Sequence, residues 1–484
     1  MYIRHLHNSK SNFILLLFAL LIFTSNLYSQ ELSQKFSGYL TEYYTVNEVP
    51  SVTAGIAVNN KILWMDSRGY ADIEHQTKSS TSTIYRIASI SKSITAVAVM
   101  QLVEKGLINL DDDALLYIPY FTHKKYKFTI RQLLSHTSGI RGYRDGEFDS
   151  KDFYPTIKDA VLKLNNDPLE YEPGTKYLYS SLAYNLLAAI IENVTKQSFV
   201  DYVTYNIFVP AGMNSTFADA QKSLIFNRAR GYEKNIKREF ENAALADLSI
   251  KIPGGGFIST VEDLLRFGMA IMNGTLIKKS TLDKILEPTI LKNGEVKKYG
   301  LGFSIEKDEA GKIFFCHYGG GTGFVSQFLF YPDENIAAVH LINVKNGIFE
   351  SPAVDLVSLY KGRTVIVKKQ LSDHLMKKYL ISDIDNCIKE YEKVKRNPGS
   401  YFYSADQIYS FCSDLITLNK SEDAKKFLNV FLAEYPDYTK AFVTLAEIYL
   451  KEGKVKLAED NYNAALKIEP NNNQIKEMIK KIKS

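Results

Sequence analysis

Glycine divides this chain into two unlike texts. Of its 27 glycines, all but Gly399 and Gly453 fall at or before Gly362. Glycine serves turns, close approaches and left-handed backbone, and it weakens helices. The Lys-, Glu-, Leu- and Tyr-rich stretch beyond residue 362 therefore reads as all-helical. The Gly-rich stretch before it needs strands and many loops. No single architecture suits both, and 484 residues predict two to four domains on length alone. We place the boundary between 365 and 366, after an apparent helix from Ser351 to Tyr360.

Strand signals stand at both ends of the Gly-rich region. Val52, Ala54, Ile56 and Val58 alternate, Asn59-Asn60 can turn, and Ile62 to Met65 resumes. At the far end Ile313 to His317, Phe324 to Tyr331 and Ile336 to Val344 read as strands, with a turn at Pro332 to Asn335. Between them the text is mostly helical. This distribution predicts an α+β fold, an antiparallel sheet built from both termini of the region with a separate helical lobe.

The N-terminus reads as an export segment. Arg4, His5 and Lys10 precede an apolar run from Phe13 to Phe23, and small and polar residues follow to Ser29. The run is shorter than the roughly 20 residues that cross a bilayer. We expect a signal peptide over 1–29, with retention as an anchor the alternative. The mature chain is then periplasmic or secreted, with no stable membrane span. Cys316, Cys387 and Cys412 are an odd set and read as buried free thiols. A net charge of +5 is small for this length and gives no nucleic-acid footprint.

The helical text repeats itself. Pro398, Pro436 and Pro470 are 38 and 34 residues apart (436 − 398; 470 − 436). Phe442, Leu445, Ala446, Tyr449, Gly453, Ala458, Tyr462, Ala465 and Pro470 hold the offsets of a tetratricopeptide repeat, and this unit resembles that family. The clearest repeats span about 405–438 and 439–472. The earlier one is degenerate, with Phe431 where Ala is usual, and a weaker unit ends at Pro398. A plain helical bundle is the alternative. The resemblance implies a surface that recruits a protein or peptide partner.

The chemistry-bearing segment is Tyr85-Arg86-Ile87-Ala88-Ser89-Ile90-Ser91-Lys92. The text after Lys92 is apolar on almost every side, as in a helix buried in a core. Ser89 stands at its start, and Lys92, three residues on, shares its face. Burial would favour the neutral amine, which could take the Ser89 proton and make the hydroxyl a nucleophile. Ser-x-x-Lys alone arises often by chance and better fits a capping serine with a surface lysine.

Further motifs in order resolve this. Leu133-Leu-Ser-His-Thr-Ser-Gly139, Tyr177-Leu-Tyr-Ser-Ser181, Ile207-Phe-Val-Pro-Ala-Gly-Met213, Gly254-Gly-Gly-Phe-Ile-Ser-Thr260, Tyr299-Gly-Leu-Gly302 and His317-Tyr-Gly-Gly-Gly-Thr-Gly-Phe324 follow. With the Ser89 segment they resemble the serine β-lactamase-like family, in its branch of class C β-lactamases, esterases and D-aminopeptidases, penicillin-binding-protein-like serine hydrolases. The resemblance covers roughly 35–345. It implies catalysis by Ser89, Lys92 and Tyr179, with Tyr179 a proton shuttle whose pKa is lowered by Lys92 and His317. It implies an oxyanion hole from the backbone N–H groups of Ser89 and Gly320, and substrate contacts at Ser181, His317, Tyr318 and Gly319. No metal or cofactor is implied, and His136 reads as structural.

Two departures stand out. The family's Asn after the catalytic Tyr is Ser181, and its Lys-Thr-Gly is His317-Tyr318-Gly319. Both weaken efficient β-lactam hydrolysis. The expected function is an exported serine hydrolase that acts through an acyl-enzyme on a small ester, D-amino-acid peptide or β-lactam. The alternative is a catalytically idle scaffold or sensor whose repeats recruit a partner.

Overall fold

The computed structural model describes residues 30–122, 124–345 and 352–483. The expected signal segment 1–29 lies outside the described residues. The chain divides into two compact units, one of residues up to 233 with 242–365, the other of 234–241 with the chain from 366 onward.

The first unit is built on a seven-stranded sheet. Its strands are β1 (Ser51–Val58), β2 (Lys61–Asp72), β3 (Thr77–Lys78), β4 (Ser304–Lys307), β5 (Ile313–Gly321), β6 (Phe324–Tyr331) and β7 (Ile336–Ile342). Their order is β4-β5-β6-β7-β1-β2-β3, and every pairing is antiparallel. Asn59 (φ 49) and Asn60 (φ 61) make the β1–β2 turn, the positive pair that a tight hairpin needs. The β1–β7 pairing, Val52 with Ile342 through Val58 with Ile336, joins the two ends of the region. Three strand limits differ from the sequence expectation. β2 runs past Met65 to Asp72, because β1 pairs it as far as Gly69 and β3 pairs it beyond. β5 runs on to Gly321, because β6 pairs it from Phe315 to that residue. β7 stops at Ile342, because the Asn343 side chain turns to accept from the Ser51 N–H.

Period-two alternation gives the sheet two buried faces. Helix α1 (30–47) packs Phe36 on Trp64, with ring centroids 5.4 Å apart. Helix α2 (Ile90–Glu104) is buried at every residue from Ile90 to Leu102, so its all-round apolar text is a core text. Helix α3 (Ala183–Thr195) is buried from Ala183 to Ile191. Helix α4 (Val261–Met272) lies over Gly55, where an added Cβ would stand 2.9 Å from Val261. Helix α5 (Ala353–Tyr360) meets the Trp64 face, its first N–H bonding His340 Nδ1.

The second unit is helical: α6 (Leu371–Leu380), α7 (Ile384–Arg396), α8 (Ala405–Thr417), α9 (Ser421–Glu434), α10 (Thr439–Lys451), α11 (Val455–Ile468) and α12 (Asn473–Lys483). Starts recur after 34 residues from α8 to α10 (439 − 405) and from α9 to α11 (455 − 421). Ala446, Ala458 and Ala465 are fully buried and let α10 and α11 approach closely. The hairpin 234–241 belongs here through Lys234 to Asp373 (3.0 Å) and Arg238 to Asp373 and Asp414. The three cysteines are buried and unpaired. Among the described residues no helix is long and apolar enough to cross a membrane.

Candidate active site

The turn before α2 aims Ser89. The short strand Tyr85–Arg86 pairs with Phe257–Ser259. Ala88 then takes φ 44, unusual for a residue with a Cβ. Ser91 Oγ donates to Ala88 O at 2.7 Å and Ser326 Oγ to Ile87 O at 2.9 Å, which fixes the turn from both sides. Ser89 is the N-cap of α2 but makes no capping bond. Its hydroxyl faces Lys92 instead.

Lys92 is fully buried and has no carboxylate partner among its hydrogen bonds. Its Nζ lies 3.0 Å from Ser89 Oγ and 2.9 Å from Ser181 Oγ, and it donates to the Gly254 carbonyl. The rings of Tyr179 and Tyr184 cover it at 4.7 and 5.6 Å. Burial first, and the nearby Lys251 charge second, hold it well below the usual lysine value. Gly254 reaches this position because it lacks a Cβ, which would meet Ser181 O at 2.6 Å.

Tyr179 is 39% exposed over the whole residue, and its ring lies over Lys92. The expected lowering of its pKa is overturned. Burial of its hydroxyl end raises the phenol well above 10, and the neighbouring Ser89 hydroxyl offsets only part of this. The physical reason lies in its neighbours. Lys92 is pushed towards its neutral form, and His317 is neutral, so neither offers a firm positive charge. His317 is 3% exposed and is lowered to about 3 by burial and then by Lys92. Its Nδ1 faces Tyr318 O at 2.8 Å and must donate, so Nε2 accepts from the Tyr299 hydroxyl at 3.0 Å. His136 clamps the Tyr179 loop from both flanks. Its carbonyl accepts from Leu178 N at 2.9 Å and its Nδ1 from Ser180 N at 3.2 Å.

A narrow pocket opens beside Ser89, lined among others by Ser181, Lys251, Gly254, Gly320 and Thr322. β4 pairs with β5 only over Ile313–Cys316. From His317 to Gly321 that outer edge has no strand partner among the described residues, so a substrate backbone can lie along it. Gly319 brings the edge close, since a Cβ there would stand 2.0 Å from Ser326 Oγ and 2.4 Å from Ile87 O. The structure thus gathers Ser89, Lys92, Tyr179, Ser181 and Gly320, while His317 packs near the Tyr179 ring (centroids 6.3 Å) but does not line the pocket. Among the described residues, the one grouping of three possible metal ligands, Asp72, Glu74 and His75, lies outside this pocket. Sequence reasoning missed Lys251, whereas His136 ties loop backbone as its structural reading expected. The signal for Lys251 was a charge set between Ile250 and Ile252, three residues before Gly254.

The large antiparallel sheet with helical cover, and a serine held by a buried lysine, define a serine hydrolase of the β-lactamase-related class. The comparisons agree. The Beta-lactamase family model matches residues 36–357, and the chain belongs to that family. The human serine beta-lactamase-like protein LACTB, mitochondrial, is 30% identical over 379 residues, covering 59% of this chain and 69% of the relative. Penicillin-binding protein 4* of Bacillus subtilis is 31% identical over 303 residues, covering 59% and 66%. Among solved structures, the octameric penicillin-binding protein homologue from Pyrococcus abyssi matches with TM-score 0.59 and 25% identity over 68% of this chain and 77% of its own. The D-amino acid amidase from Ochrobactrum anthropi shares the fold with TM-score 0.60 at 22% identity, over 69% of this chain and 99% of its own. The family match ends before the helical stretch that begins at residue 366.

Proposed function

We propose that the protein is an exported hydrolase that works through an acyl-enzyme on Ser89. Lys92, favoured as the neutral amine, takes the hydroxyl proton as Ser89 Oγ attacks the substrate carbonyl. The N–H groups of Ser89 and Gly320 hold the oxyanion, each such donor contributing about 10²–10³ in rate. Tyr179, protonated in the resting enzyme, hands its proton to the leaving group and recovers one from Lys92. Water then releases the acyl group by the reverse relay. The candidate substrates are a small ester, a D-amino-acid peptide and, less favoured, a β-lactam. The Ser181 and neutral His317 departures weigh against the last. The carrying observation is Lys92 Nζ, fully buried and 3.0 Å from Ser89 Oγ.

The helical unit is read as tetratricopeptide repeats that recruit a protein or peptide partner. The 34-residue recurrence of its helix starts supports this. The basic start and the apolar run from Phe13 to Phe23 support an export segment, and with it a location in the periplasm or outside the cell. Intact mass after fluorophosphonate treatment tests the chemistry. One adduct is expected, located on Ser89 and absent from Ser89→Ala. An unmodified wild-type protein overturns the reading.

A further inference from the structure

Lys251 is a second buried cation at the Ser89 pocket, and its hydrogen bond goes to a carbonyl rather than a carboxylate. Ser249–Lys251 form a turn of 3-10 helix that runs into Ile252–Gly255, the segment whose Gly254 carbonyl holds Lys92. The residue is 5% exposed and lines the pocket. Its Nζ donates to the Phe148 carbonyl and lies 4.4 and 5.0 Å from the ring centroids of Phe148 and Tyr143. An ammonium carries three donors, so the Phe148 bond leaves capacity for a ligand. Asp149, the acid that acts on it, is turned to the Thr322 hydroxyl. Arg86 and Lys345 add positive charge around it, and Arg86 lines the same pocket while bound to Asp219. The site therefore presents an excess of positive charge to whatever occupies it. Burial lowers Lys251 to about 8, which still leaves it charged at pH 7. A buried charge without a partner is costly, and a ligand anion would supply the partner.

We propose that Lys251 binds a carboxylate of the substrate, so that the enzyme prefers an acidic ester or amide to a neutral one. This rests on Ser89 being the nucleophile of the pocket. Position 317, where the family's Lys-Thr-Gly would bring a cation, is a neutral histidine here. Lys251 brings the charge from a different segment.

The test compares 4-nitrophenyl butyrate with two carboxylate-bearing esters. Mono-4-nitrophenyl succinate carries the charge on its acyl part, and 4-acetoxybenzoate carries it on the leaving group. Wild type should show a higher kcat/KM for at least one acidic ester. Loss of a charge-assisted bond predicts that this preference ratio falls about tenfold or more in Lys251→Met, and returns in part in Lys251→Arg. The ratio cancels any effect of Lys251 through Lys92, which would lower all three rates together. An unchanged ratio overturns the proposal, as does a wild type without acid preference. Binding gives a readout independent of catalysis. Succinate should raise the Tm of Ser89→Ala protein where succinamide does not, and Lys251→Met should abolish that difference. Equal shifts by the two compounds overturn the proposal. A wild-type protein that takes no fluorophosphonate label yet shows the succinate shift overturns the Ser89 mechanism and leaves the carboxylate site standing.

Discussion

The two units bury lysines on opposite terms. In the helical unit Lys425 is 8% exposed, and its Nζ meets Glu422 at 2.6 Å and Glu452 at 2.5 Å. Burial works against its charge, but the two carboxylates outweigh burial and raise its pKa. Lys234 and Arg238 are likewise held by Asp373 and Asp414. In the hydrolase unit Lys92 and Lys251 are buried against hydroxyls, carbonyls and rings, and both are lowered. A buried cation that meets carboxylates is a structural tie. One without them is held ready to move a proton or to meet a charge from outside.

The largest test of this contrast removes the reacting groups. Ser89→Ala should abolish ester hydrolysis. Lys92→Met should lower kcat by about 10²–10⁴, with the fold retained by circular dichroism. A Lys92→Met enzyme within a few-fold of wild type would place Lys92 with the structural lysines. Tyr179→Phe should cost about 10² in kcat, since it removes the proton relay and leaves the nucleophile and its base.

Next comes pH. Lys92 must lose its proton to act, so kcat/KM should rise with pH through its depressed value. The charge on Lys251 lowers Lys92, so Lys251→Met should raise it and move that acid limb to higher pH. The groups that act on Lys251 are Asp149, Arg86 and Lys345, and Tyr143 and Phe148 pack on it. Lys251 is a cation below about pH 8 and neutral above it. The preference for acidic esters should therefore fade as pH rises through that value, as ester pairs measured across pH would show. The smallest effect belongs to the helical unit. Lys425→Met should lower the urea midpoint seen by far-ultraviolet circular dichroism while fluorophosphonate labelling keeps its rate. Slower labelling would break the division between the two kinds of lysine.

Legibility followed the same physics. Helix α2 was readable because a helix buried all round has no polar face to confuse its text. β1, β2, β6 and β7 were readable from alternation and turn residues. β4, Ser-Ile-Glu-Lys, was not, because a half-exposed edge strand carries polar side chains that look like loop. Leu32, Phe36, Tyr39, Leu40 and Tyr43 give α1 a helical spacing, but the apolar run before it draws the eye to export. Ser89, Lys92 and Tyr179 could be named because motifs are local. The direction of the Tyr179 shift could not, since it depends on whether Lys92 and His317 keep their charges once buried. The positive charge of the pocket was sought at position 317, yet Lys251 sat within an apolar stretch with no motif around it.

The β1–β7 pairing has a consequence for biosynthesis. Val52 and Ile342 are neighbours in the sheet but 290 residues apart in the chain (342 − 52). Closing so long a loop is slow, and the contact cannot form until its second half has been made. A growing polypeptide carries its serine and lysine through 228 further residues (320 − 92) before the glycine edge that would receive an oxyanion is made. The enzyme should thus be silent while nascent and become competent only when its last strands arrive.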